Sequence, residues 1–126
     1  MNSPALPSFD QPRLARAVEA LTPEQIDELP FGSIRLDESN QVVLFSQAEA
    51  KLSGYRRSAA GMDFFADIAP CMNTDSYRGR LERALKAGTV NIEFSHIGDF
   101  ADQTRELRVR IQSATGGGVW IFMSRS

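Results

Sequence analysis

The chain has 126 residues, is 42% hydrophobic and carries a net charge of −2, which suits one globular core and is too short for two domains. Its single cysteine, Cys71, excludes an internal disulfide framework and a cysteine-rich zinc site. The charge balance gives no basic stripe for nucleic acid, no apolar run approaches the roughly 18 residues of a membrane span, and Met1-Asn2-Ser3-Pro4 does not open like a signal peptide. A cytoplasmic protein with neither a nucleic-acid nor a membrane partner is expected.

Five of the six prolines lie within the first thirty residues, which sets residues 1–29 apart as a helical cap on a core of residues 30–126. Within the cap, Leu14, Ala17, Val18 and Leu21 follow the 3.6 period, and Thr22-Pro23-Glu24-Gln25 reads as N-cap, N1 proline and capping-box glutamine. From Phe31 the pattern alternates to Leu36, turns through Asp37-Glu38-Ser39-Asn40 and resumes over Gln41 to Phe45, a β-hairpin. A short helix follows from an N-cap at Ser46, with Glu49 as capping-box partner and Gly54 past its end. Ser53 to Met72 shows no sustained period and reads as loops with brief helical turns. A helix opening near Thr74 presents Tyr77, Leu81, Ala84 and Leu85 on one face and ends at Gly88. Three strands close the chain, Val90 to Ile97, Thr104 to Ser113 with Leu107, Val109 and Ile111 on one face, and Val119 to Met123 after three glycines. The order predicts an α+β domain, a five-stranded antiparallel sheet with helices segregated on one face.

Phosphate loops, dinucleotide fingerprints, HExxH and GxSxG motifs are absent, and His96 is the only histidine. No metal site is expected. Cys71 in Ala69-Pro70-Cys71 stands on a stiffened approach to a helix N-terminus. It reads as a buried inert thiol or as a nucleophile paired with His96, and no local pattern brings those two together. Glu49 reads as a helix cap or as an inward-facing carboxyl that burial would keep protonated as a proton donor.

Phe31-Gly32, Ala48-Glu49, Asp63-Phe64-Phe65, Asp67-Ile68-Ala69-Pro70-Cys71, Gly79, Ala87-Gly88 and Trp120-Ile121-Phe122 decide among these readings. From about Leu29 to Arg125 the chain resembles the photoactive yellow proteins, blue-light receptors built on a PAS domain. The block ending in Ala-Pro-Cys is similar to that family's chromophore-attachment segment. The resemblance implies p-coumaric acid (4-hydroxycinnamic acid) bound as a thioester to Cys71, its phenolic end towards Glu49, with Phe64, Ala69 and Phe100 as further contacts. It also implies photoisomerisation, transfer of the Glu49 proton to the phenolate, and partial unfolding of the cap as the signal, with no enzymatic turnover. The chain departs from the family at several positions. Phe45 stands for a tyrosine that binds the phenolate, so Ser53 and Tyr55, which stand for a threonine and an arginine, become candidate substitute donors. His96 and Gly98 replace aromatics, and Asp102 replaces a methionine. An unidentified downstream signalling protein is the expected partner of a monomer or weak dimer. The rival readings are a PAS-like module binding another ligand or partner without light sensing, and a thiol enzyme using Cys71 and His96.

Overall fold

The computed structural model describes residues 6–55, 58–98 and 104–125. Five antiparallel strands form one sheet: β1 (Gly32–Leu36), β2 (Val42–Phe45), β3 (Asn91–Ile97), β4 (Glu106–Ser113) and β5 (Val119–Arg125), in the spatial order β2-β1-β5-β4-β3. The outermost positions fall to β2 and β3, and the centre to β5, whose first five residues are all buried. A strand covered on both faces reads as a continuous apolar run rather than an alternation, which is why Val119-Trp120-Ile121-Phe122-Met123 has no polar side chain.

The period of two splits the sheet into two cores. Towards one face, Ile34, Leu36, Leu107, Val109, Ile111, Val119, Ile121 and Met123 pack with Phe64, Phe65, Ile68, Met72 and Leu81. Towards the other, Phe31, Trp120 and Phe122 pack with Phe9, Leu14, Ala15, Val18, Ile26 and Leu29. This second face carries α1 (Leu14–Glu19) and α2 (Pro23–Asp27), and α2 starts with the expected reciprocal capping box between Thr22 and Gln25.

The first face carries α3 (Gln47–Ser53), three short helical turns and α4 (Arg80–Ala87). Ser46 caps α3 and Gly54 ends it at φ 80°, while Gly88 ends α4 at φ 99°, left-handed conformations that glycine adopts without strain. Phe64–Ile68 is a π-helical turn and Pro70–Met72 a 3-10 turn, and a second π-helical turn, Asp75–Gly79, runs straight into α4. Two expectations are corrected. Leu85 is 42% exposed, because α4 is two turns long and only Leu81 is fully buried in it. β5 continues two residues past Met123, since Arg125 still pairs with Leu107 of β4. No helix among the described residues is long and apolar enough to cross a membrane. Phe100 and Asp102 lie outside the described residues.

Candidate functional site

The segment that presents Cys71 is fixed by two aspartates. Asp63 Oδ1 accepts from the Ala66 amide at 2.8 Å, while Asp67 Oδ2 accepts from the Asp63 amide at 2.9 Å. The turn between them closes with the wide-ring bond from the Ala69 amide to the Phe64 carbonyl. Pro70 then starts the 3-10 turn that sets Cys71 on the surface of the domain.

Beside Cys71 opens a cavity of about 450 Å³, lined by Ile34, Phe64, Ile68, Ala69, Met72, Leu107 and Met123 as its apolar wall, with Glu49, Cys71, His96 and Arg125 as its ionisable groups. A largely apolar cavity with a few convergent polar groups is the usual form of a small-molecule site, and this volume falls within the range of roughly 300–1,000 Å³. No cluster of His, Cys, Asp and Glu that could hold a metal ion occurs among the described residues.

Glu49 turns inward. Ser46 Oγ accepts from the Glu49 amide at 3.1 Å, which is one half of a capping box, but the carboxylate goes elsewhere. Both of its oxygens accept from the Arg125 guanidinium, at 2.8 Å each, with each side chain only 4% exposed. Because a guanidinium has donors only, this two-pronged pairing fits an ionised carboxylate. Gly32 makes the space, since a Cβ on it would overlap Glu49 Oε1. Nothing in the sequence marks Arg125 for a role, because a charged residue at a strand end ordinarily reads as solvated. Its only signal was its place in phase with Ile121 and Met123, on the cavity side of β5.

His96 is buried on β3, edge-on to Tyr77 at 5.2 Å between ring centres. Its Nε2 stands 3.5 Å from Cys71 Sγ, so the two residues do meet. Burial pushes its imidazole below the ordinary histidine range.

Glu49, Phe64, Ala69 and Cys71 thus converge on one cavity, while Phe45, Ser53 and Tyr55 are not on its lining. Phe45 belongs to the edge strand β2, beyond its partner Ile34, and its ring packs 5.6 Å from that of Tyr55. Both line a separate depression across α3 with Val43, Lys51 and Ser58. Ser53 is buried, its Oγ accepting from the Tyr55 amide at 3.1 Å.

No protein-family model matches the sequence. A photoactive yellow protein of Rhodothalassium salexigens is 34% identical over 119 residues, covering 93% of this chain and 95% of that protein. That of Halochromatium salexigens is 26% identical over the same shares. The solved photoactive yellow protein domain from the sensor histidine kinase Ppr of Rhodospirillum centenum superposes with a TM-score of 0.78 at 28% identity, covering 86% of this chain and 97% of that one. With a PAS-like sheet, an apolar cavity at the Ala-Pro-Cys segment and a relative of this identity along nearly its whole length, the chain belongs to the photoactive yellow protein family.

Proposed function

We propose that the chain is a blue-light photosensor that carries p-coumaric acid as a thioester on Cys71. The observation that carries this reading is the placement of Cys71 beside an apolar cavity whose wall includes a buried carboxyl group, Glu49. Bound there, the group supplies absorption of blue light and trans-to-cis isomerisation about its double bond. Phe64 and Ala69 shape the apolar walls.

Glu49 holds a proton for the phenolic oxygen and releases it on illumination. A buried carboxylate without a partner would cost several kcal/mol, and here the Arg125 guanidinium receives it. The Glu49–Arg125 pair is on this reading the arrangement of the deprotonated carboxyl. Ser53, at the end of α3, and Tyr55, two residues beyond it, are off the cavity lining and are not assigned to the ligand.

The route outward starts at α3. The Gln47 amide at its first turn donates to Asp27 Oδ1 of α2 at 2.8 Å, and the Ser33 amide of β1 donates to Ser46 Oγ at 3.1 Å. A shift of Glu49 towards Arg125 therefore pulls on the helix that holds the cap. Detachment of residues 1–29 is the proposed signal, read by a signalling protein. The relative whose structure is similar is itself a domain of a sensor histidine kinase.

The test is to mix the purified chain, and a Cys71→Ala variant, with an activated p-coumaroyl ester, then record intact mass and visible absorption before and after blue light. The expected result is a one-to-one adduct on the unaltered chain only, with a visible band that bleaches in light and recovers in darkness. An adduct that never bleaches favours a ligand-binding PAS module, and absence of any Cys71 adduct overturns the reading.

A further inference from the structure

Cys71 and His96 are 25 residues apart in the chain, yet Sγ lies 3.5 Å from Nε2. The thiol is exposed while the imidazole is buried, and both border the same cavity. This is the arrangement of a nucleophile with its base within hydrogen-bond reach. Nothing in light absorption or proton transfer at Glu49 uses it.

We propose that His96 is the general base that activates Cys71 for its own acylation, so that the chain loads itself from an activated hydroxycinnamoyl thioester. This rests on the reading of Cys71 as the attachment point. Nε2 takes the proton from Sγ, and the sulfur electron pair forms the new bond to the acyl carbon. The bond from that carbon to the departing thiolate breaks, and the departing thiolate takes the proton back from the imidazolium. No oxidant or reductant is consumed.

The surroundings suit the role. Burial keeps the imidazole neutral at pH 7, with a lone pair free to accept a proton. Among the described residues, the other titratable or charged groups facing the cavity are Glu49 and Arg125, held to each other. Tyr77 flanks the ring, and Arg105, near the same end of β3, donates to the Leu52 carbonyl. None of these intervenes between His96 and Cys71.

The experiment compares the unaltered chain with His96→Gln and His96→Phe. Acylation by the thiophenyl ester of p-coumaric acid is followed by intact mass from pH 5 to 9, and alkylation of Cys71 by iodoacetamide is followed in parallel. In the unaltered chain both rates should rise with an inflection below the ordinary histidine value of about 6.5. Both variants should acylate about 100-fold more slowly at pH 7 and recover only towards about 8.5, where an unassisted thiol ionises. An adduct that His96→Gln forms at the unaltered rate, or an unaltered chain with no inflection below 6.5, overturns this inference alone. No adduct in the unaltered chain overturns it together with the attachment reading. Repeated release of free p-coumarate supports His96 as base while overturning the photosensor in favour of a thiol enzyme.

Discussion

The two faces of the sheet use polarity in opposite ways. On the cavity face, β4 contributes Leu107, Val109 and Ile111 to an apolar core, and the prominent buried ionic contact is the Glu49–Arg125 pair. On the cap face the same strand contributes Arg108, Arg110 and Gln112, and polar anchors hold the cap. Gln112 Oε1 accepts from the Ala15 amide at 2.8 Å, and Arg110 donates to the carbonyls of Phe9 and Gln11. Glu19 Oε2 accepts from Trp120 Nε1 at 3.0 Å and from the Thr115 amide at 2.9 Å. Apolar packing is indifferent to small rearrangements of direction, whereas a hydrogen bond weakens steeply once misaligned. The cap is thus held by apolar packing of Phe9, Leu14, Val18, Ile26 and Leu29 on Phe31, Trp120 and Phe122 together with directional polar anchors, and those anchors are the contacts a small shift can release.

The largest effect should come from separating the pair on the cavity side. Arg125→Ala leaves a buried carboxylate without its guanidinium and should cost about 3–5 kcal/mol in urea unfolding. The double variant Arg125→Met with Glu49→Gln should recover most of that loss. If the single and double variants are equally stable, the pair is not what holds that side of the cavity together.

On the cap side, Arg110→Ala strips a buried cation from two backbone carbonyls and should cost about 1–3 kcal/mol. Its signature is location: residues 6–29 should lose hydrogen-exchange protection while α4 and β3 keep theirs. Uniform loss across the chain would contradict the separation of the two faces.

The sequence reached different depths on these two faces. The hairpin, the Thr22 and Ser46 caps and the glycine stops at Gly54 and Gly88 were legible because each depends on neighbours within a turn. The alternation of Leu107, Val109 and Ile111 was legible because the intervening residues are polar. Yet the burial of Arg110 and Gln112 was not legible, since nothing local says that a cap will cover them. The Ser46-x-x-Glu49 spacing was ambiguous for a physical reason: the serine half of the capping box forms, while the glutamate finds a better partner 76 residues away. Cys71 and His96 meet through the placement of a 3-10 turn against the end of β3, which no spacing encodes. The π-helical turns have no sequence period of their own.

A smaller effect is expected from acid. Burial raises the Glu19 carboxyl, but hydrogen bonds from the Thr115 backbone, the Trp120 indole, the Thr115 hydroxyl and Arg16 outweigh it and hold its pKa at about 2. A carboxyl depressed in the folded state stabilises it fully above the ordinary value near 4.5 and loses that contribution as pH falls through the folded value. Cap protection should therefore decline between about pH 4.5 and 2, and Glu19→Gln should flatten that decline. An unchanged pH profile in the variant would remove Glu19 from the set of cap anchors.

The claim that light received on one face is reported by the other is tested most directly by hydrogen exchange on the p-coumarate-loaded chain, in darkness and under continuous blue light. The account predicts that residues 6–29 lose protection in light while β4 and β5 retain it, and that Asp27→Ala weakens the loss by cutting the link to Gln47. Equal protection of residues 6–29 in darkness and light would contradict it.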